Sequence, residues 1–324
     1  MRILIALFLF ASLTCVAPGQ SLNGPVEGFI FDAPTHSLRP VNGFPGSATF
    51  GPVILNDVGF GSVAPYKNYA IAFQGGHALF VSGLGSAHVS TSRIPDVFGQ
   101  PEGAVWSSDS SVAILYSRSG NWIQKLTGLP KTPRASPDLN LSALEGSLSA
   151  VAVDADGKQI AIGMRGAKGQ VYLNESSQNF IPLAKIENSI SLSFSENGSN
   201  LYVLDGAALK LSVVSISDWS SQVLPLTELR DPLAILAGHD AANQPVVFVA
   251  SGKDRLVGMY NPASQKMQAA VRLGFLPTGL QGLGRNSLVI GSRIKSEDPL
   301  WLFSTAPRPA AYFVPAAAAP KGDE

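Results

Sequence analysis

Residues 189–205 read Ser-Ile-Ser-Leu-Ser-Phe-Ser-Glu-Asn-Gly-Ser-Asn-Leu-Tyr-Val-Leu-Asp. Polar and apolar residues alternate through Phe194, the period of a strand with one covered face. Asn197-Gly198 follows, a pair that tolerates the positive φ angles of a tight hairpin turn. Leu201 to Leu204 is a second short apolar run, so the stretch predicts two antiparallel strands joined by a turn.

The same layout recurs at Leu148 to Met164 around Ala155-Asp156-Gly157, and at Gly103 to Tyr116 around Ser108-Asp109-Ser110. Aligning the second strand of each unit anchors Ile71, Ile114, Ile162, Val203, Val249 and Ile290, spaced by 43, 48, 41, 46 and 41 residues. Outer hairpins fit the same frame at Gln170 to Leu173 with Phe180 to Ala184, and at Leu211 to Ile216 with Gln222 to Leu226. A third pairs Leu256 to Asn261 with Lys266 to Val271. Four short strands repeated at this period predict the blades of an all-β propeller. One blade cannot cover both of its apolar faces, so neighbours must, and the array closes into a ring. Six full units account for residues from about 59 to 314, and the piece Gly28 to Val41 reads as an outer hairpin. With Asn42 to Asp57 it makes a short first blade, giving seven; six blades plus a hairpin is the alternative.

The repeats resemble the bacterial YVTN-type and WD-repeat-like propellers, on Phe194 to Val203 and more loosely on Val153 to Ile162. No unit ends in Trp-Asp as a WD repeat does, and Gly238-His239-Asp240 is a solitary echo. The resemblance implies a propeller whose relatives bind partners, build surface layers or, in some branches, hydrolyse lactones. The matching residues form turns and strands, so no active site is carried over with them.

Composition agrees with a packed, turn-rich domain. The 324 residues carry 23 Lys+Arg and 23 Asp+Glu, are 45% hydrophobic, and include 32 Gly and 23 Pro. Disorder would need fewer apolar and more charged residues, and a nucleic-acid binder would carry a basic excess. Residues 1–19 have the three parts of a secretory signal: Arg2, the apolar run Ile3 to Leu13, and small Ala17 and Gly19 before a cut ahead of Gln20. The expected protein is therefore secreted or periplasmic. Its one cysteine, Cys15, sits in that segment, and Thr14 and Ser12-Leu13 match a lipoprotein signal poorly. Residues 20–315 form one propeller domain in this reading, with a disordered tail over 316–324 and no membrane span.

Residues able to do chemistry are scattered. His36, His77, His88 and His239 lack zinc-ligand spacing, and there is neither a Gly-x-Ser-x-Gly elbow nor a phosphate-binding Gly-Lys loop. Asp154-Ala-Asp156-Gly157 starts like a calcium loop but lacks its further oxygen ligands, and is read as a hairpin turn. No metal or other cofactor is implied. Trp106, Trp122 and Trp301 fall in strand patterns as blade-to-blade core, whereas Trp219 sits in an outer turn. The second-to-third-strand loops share one face of a propeller and hold Arg118, Arg165, Lys168, Lys253, Arg255, Arg293 and Lys295. Such a set is a candidate site for an anionic ligand, a carboxylate or a sulfated sugar. Acidic blade-to-blade links, including Glu102, Glu187, Glu228 and Asp231, offset it. The Pro-rich insertion Thr127 to Gly146 is expected to be a removable loop available for recognition. The expectation is a monomeric binding or scaffold module for a small anionic ligand, a glycan or a protein, its channel free of converging acid and base groups. A lactone or glycoside hydrolase is the alternative, and would need such groups at the channel mouth.

Overall fold

A computed structural model describes residues 24–316 apart from 168, 177–178, 188–189 and 292. The expected signal segment and all of the expected tail beyond Ala316 lie outside the described residues. Seven antiparallel sheets follow one another along the chain. Blade 1 has three strands, β1 (Val26–Asp32), β2 (Ser37–Asn42) and β3 (Thr49–Phe50). Blade 2 holds β4 (Val58–Val63), β5 (Tyr69–Gln74), β6 (His77–Ser82) and β7 (Ser90–Arg93). Blade 3 holds β8 (Gly103–Trp106), β9 (Ala113–Ser117) and β10 (Trp122–Thr127), edged by the short β11 (Arg134–Ala135) and β12 (Leu139–Asn140). Blade 4 is β13 (Ser147–Val153), β14 (Ile160–Arg165), β15 (Gly169–Ser176) and β16 (Asn179–Ile186). Blade 5 is β17 (Ile190–Phe194), β18 (Asn200–Asp205), β19 (Lys210–Ser215) and β20 (Ser221–Pro225). Blade 6 is β21 (Pro232–His239), β22 (Pro245–Ser251), β23 (Leu256–Asn261) and β24 (Lys266–Arg272). Blade 7 is β25 (Leu280–Gly284), β26 (Ser287–Ile290), β27 (Leu300–Ser304) and β28 (Ala310–Val314).

The core is divided in the same way as the chain. Seven clusters of buried apolar side chains fill the seven blade-to-blade interfaces. The second strands explain how: on β18, Leu201 and Val203 face blade 4 while Tyr202 and Leu204 face blade 6. On β22, Val247 and Val249 point one way and Val246 and Phe248 the other. A strand covered on both faces must be apolar at every position, which is why these strands read as unbroken runs. The outermost strands need only one covered face or none, and β24 alternates between exposed and half-buried residues. Trp122 is buried, Trp106 and Trp301 are half-buried against neighbouring blades, and Trp219 is exposed.

Innermost strands in the regular part of the ring run parallel to one another. The backbone N–H groups of Ile235 and Ala237 on β21 donate to the hydroxyls of Ser191 and Ser193 on β17, each 44 residues earlier. These serines satisfy donors on a strand edge that no further strand covers. Two faces result. First-to-second and third-to-fourth turns lie on one, here the turn face, and second-to-third loops with the blade-to-blade links lie on the other, the link face.

Blade 1 departs from the expectation. The hairpin Gly28 to Val41 is not outer: β1 is innermost, packs between β4 and β25, and lines the central channel. It also runs against its neighbours. Its start meets the end of β25, where a Cβ on Gly28 would lie 2.7 Å from Leu283 Cδ1. Its far end meets the start of β4, where the Val58 N–H donates to the His36 carbonyl at 2.8 Å. Blade 1 thus has the directions of a second, third and fourth strand and lacks a first. Gly28 and Gly61 make the close approach possible, since a Cβ at Gly61 would sit 3.0 Å from Phe31. As at the other blade boundaries, no strand of blade 1 pairs with blade 7 among the described residues.

The insertion Thr127 to Gly146 is corrected as well: it supplies the fourth strand of blade 3 in two pieces. Leu126 and Thr127 pair with Ala135 and Arg134, and Trp122 and Ile123 pair with Asn140 and Leu139. Pro137, which has no N–H to give, lies in the gap. Gln124 spans that gap, accepting from the Phe98 N–H and donating to the carbonyls of Asp96 and Ser136.

Candidate functional site

A channel of 630 Å³ runs through the ring, lined by innermost strands of all seven blades. Its middle is small and apolar, with Gly61, Val63, Ala104, Ala152 and Ala237 among its lining. Polar side chains gather at its two ends.

At the link-face end, Arg293 from the β26–β27 loop reaches Asp32 at the end of β1, Nη1 to Oδ1 2.6 Å. Its Nε donates to the Asp298 carbonyl at 2.7 Å and its Nη2 to the Ser296 carbonyl, and its guanidinium covers the Phe50 ring. Glu102 lies at the same end and accepts from the hydroxyls of Ser117 and Ser119 and from the backbone N–H groups of Arg118 and Ser119. Those bonds, led by the Ser119 hydroxyl, hold its carboxyl down to about 2. Because the folded value is depressed, the lock is complete above the ordinary carboxylate range near 4.3 and is lost as pH falls toward the depressed value. An NMR titration of the Glu102 carboxyl is expected to show its midpoint near 2. A midpoint near the ordinary glutamate value means the loop is not locked.

Six of the seven expected cations are described, and these are loop or strand-end residues of this face, with unequal partners. Arg118 is exposed, donates to the Ser149 carbonyl and lies over the Tyr116 ring. Arg293 is buried, with Nε, Nη1 and Nη2 all engaged. Arg165, Lys253, Arg255 and Lys295 are exposed, and Lys168 lies outside the described residues. The acidic residues of the face are spent largely on its own loops. Asp205 accepts from the Glu187 and Ala208 N–H groups, and Asp254 from Ser251 and from the Arg230 N–H and Nε. Carboxylates therefore pin second-to-third loops to adjoining links in blades 3, 5 and 6.

The turn-face end holds the group that the sequence did not single out. Tyr66 follows β4, Ser108 follows β8, Glu196 follows β17 and His239 ends β21, and all four line the channel. His239 Nε2 lies 3.1 Å from Glu196 Oε2. The Ser108 hydroxyl donates to the Glu196 carbonyl at 2.7 Å, reaching from blade 3 to blade 5. The Tyr66 hydroxyl is raised above its ordinary value, first by burial and then by the negative charge of Glu196. A carboxylate–imidazole pair thus stands where the channel was expected to lack one. The signal was available in the period: His239 follows Glu196 by 43 residues, one short of the 44 that separate facing residues of β17 and β21, so the two stand at the same end of adjacent blades. Asp154 and Asp156, by contrast, form the hairpin turn expected, the Gly157 N–H donating to the Asp154 carbonyl. Among the described residues no group of three His, Cys, Asp or Glu side chains is placed to hold a metal, and no helix is long and apolar enough to cross a membrane.

No protein-family model matches the chain, and no curated protein matches it by sequence. Solved structures do match. The chain superimposes on Hsv2 of Kluyvelomyces marxianus with a TM-score of 0.58 at 10% identity, covering 90% of this chain and 97% of that one. A nidogen/laminin complex gives a TM-score of 0.50 at 14% identity, covering 76% of this chain and 92% of that one. The WD40 repeats of RRP9 give 0.48 at 16% identity, covering 64% and 61%. At these identities the likeness is one of fold. By its sheets, its interfaces and its likeness in fold to Hsv2, the chain is a seven-bladed β-propeller.

Proposed function

We propose that this propeller is an exported binding or scaffold module that takes its ligand at the central channel. The observation that carries the reading is the convergence of polar side chains from blades 2, 3, 5 and 6 on one mouth of a 630 Å³ channel. That volume falls within the ordinary range of ligand pockets, which combine apolar walls with a few placed polar groups. Export rests on the signal-like residues 1–19, and kinship with bacterial YVTN-type propellers rests on Phe194 to Val203 and Val153 to Ile162. Exposed Arg165, Lys253, Arg255 and Lys295 make the link face a second surface, suited to an anionic ligand. One experiment tests the main reading: a glycan and metabolite panel followed by NMR on the isotope-labelled protein. Shifts centred on channel residues are expected for at least one compound. A panel that shifts only outer-strand residues, or none, overturns it.

The Glu196–His239 pair favours hydrolysis of lactones or glycosides as the second reading, because a carboxylate can orient an imidazole for base catalysis. Turnover of an ester, lactone or glycoside that is lost in His239→Gln would put that reading first.

A further inference from the structure

The turn-face mouth has a chemistry of its own, and the inference drawn from it rests on the channel-binding reading. Tyr66 is a bulky residue held at φ 59, in the left-handed region that such side chains avoid. Strain of this kind persists where surrounding structure or function requires it. The residue as a whole is 54% exposed, so the ring borders solvent at the mouth while its hydroxyl end is desolvated within the channel. It leans over the channel toward blade 7, where a Cβ on Gly282 would lie 3.8 Å from the Tyr66 hydroxyl oxygen. Glu196 faces the same space. Its side chain is 64% exposed, Oε2 meets His239, and no hydrogen bond among the described residues ends on Oε1. Of the neighbouring charges, Lys67 adds to the field that lowers Asp109, and Asp240 accepts from the Ala242 and Gln244 N–H groups.

A partly exposed aromatic ring and a carboxylate with an open oxygen, lining one channel mouth, are the two elements that hold an alkylammonium group. The ring quadrupole attracts the cation's face and the carboxylate accepts its N–H bonds or balances its charge. We infer that the turn-face mouth, through Tyr66 and Glu196 with His239 as the carboxylate's partner, is a binding site for an alkylammonium group. The ligand class is amine-bearing, opposite in charge to the one that the link-face cations suit. Ser108 fixes the Glu196 backbone from two blades away and so holds the carboxylate over the channel.

The test uses the full folded chain and three probes: n-butylammonium, the neutral n-butanol, and sulfate. Chemical-shift titrations of the Tyr66, Glu196 and His239 signals are expected to saturate with n-butylammonium at a Kd on the order of 1 mM. They are expected to stay flat with n-butanol and sulfate. Glu196→Gln should weaken n-butylammonium about tenfold, and Tyr66→Leu about threefold or more. Equal binding of n-butanol, stronger binding of sulfate at these residues, or unchanged affinity in Glu196→Gln overturns the inference. The probe comparison on the unmodified chain needs no variant to fold. If a panel compound without an amine shifts channel residues while n-butylammonium does not, the channel-binding reading stands and this inference fails. If neither does, both fail.

Discussion

Replacing Arg293 by methionine is expected to destabilise the fold by about 3–5 kcal/mol, the cost of stripping the partner from a buried charge. The Arg293 side chain is 3% exposed and that of Asp32 is 0% exposed, so water cannot take over from the lost guanidinium. Asp32 would keep only the Thr35 hydroxyl at 2.6 Å and the distant Arg39, Nη1 at 3.8 Å. The carbonyls of Ser296 and Asp298 would lose their donor at the same time. Location raises the effect further. Blades 7 and 1 meet through an apolar cluster around Ile30, Val41, Leu283 and Leu302, and Arg293 adds both this ion pair and its guanidinium over the Phe50 ring. Urea unfolding at neutral pH measures the loss. The double variant Asp32→Asn with Arg293→Met should recover much of it, because no unpaired charge is then left buried. A loss below about 1 kcal/mol in Arg293→Met, in the range of an exposed pair, sinks the argument.

The same closure shows where sequence stops being informative. Second strands were legible because burial on both faces demands an unbroken apolar run, as at Leu201 to Leu204 and Val247 to Ala250. The order of blades 2 to 7 followed from their spacing, whereas the seventh sheet, blade 1, lay outside the spaced anchors. The direction of β1 did not, because an alternating strand reads the same whichever way it runs in the ring. What distinguishes β1 is close approach at Gly28 and Gly61, and a glycine in a sequence does not say which neighbour it admits. The Arg293–Asp32 pair joins residues 261 apart, and only ring closure brings them together. Loop position alone therefore groups Arg293 with the cations of its face, although its charge is already matched. Glu196 and His239 were hidden for a related reason: each looks local, one a turn former and one a lone histidine, until the period sets them on adjacent blades.

Deleting residues 128–145 is expected to abolish folding of the ring, or to lower its stability by more than any single core truncation, which costs about 2–5 kcal/mol. The composition of the segment argues for a dispensable loop, and its contacts argue the reverse. Leu129 is buried in the interface between blades 2 and 3, and Leu141 is fully buried in the interface between blades 3 and 4. Residues 134–135 and 139–140 pair with β10, so their loss bares the outer edge of blade 3. Gln124 would lose its bond to Ser136 while only 2% exposed. A smaller change separates these contributions. Gln124→Ala keeps the segment but removes three hydrogen bonds at the gap, leaving the Phe98 N–H without its acceptor, and should cost about 1–3 kcal/mol. Circular dichroism and urea unfolding of both variants decide the matter. A deleted chain that unfolds at the same urea concentration as the intact protein would restore the reading of a removable loop. A graded loss, modest for Gln124→Ala and severe for the deletion, means that the segment is the fourth strand of its blade, broken at Pro137 and bridged by a side chain.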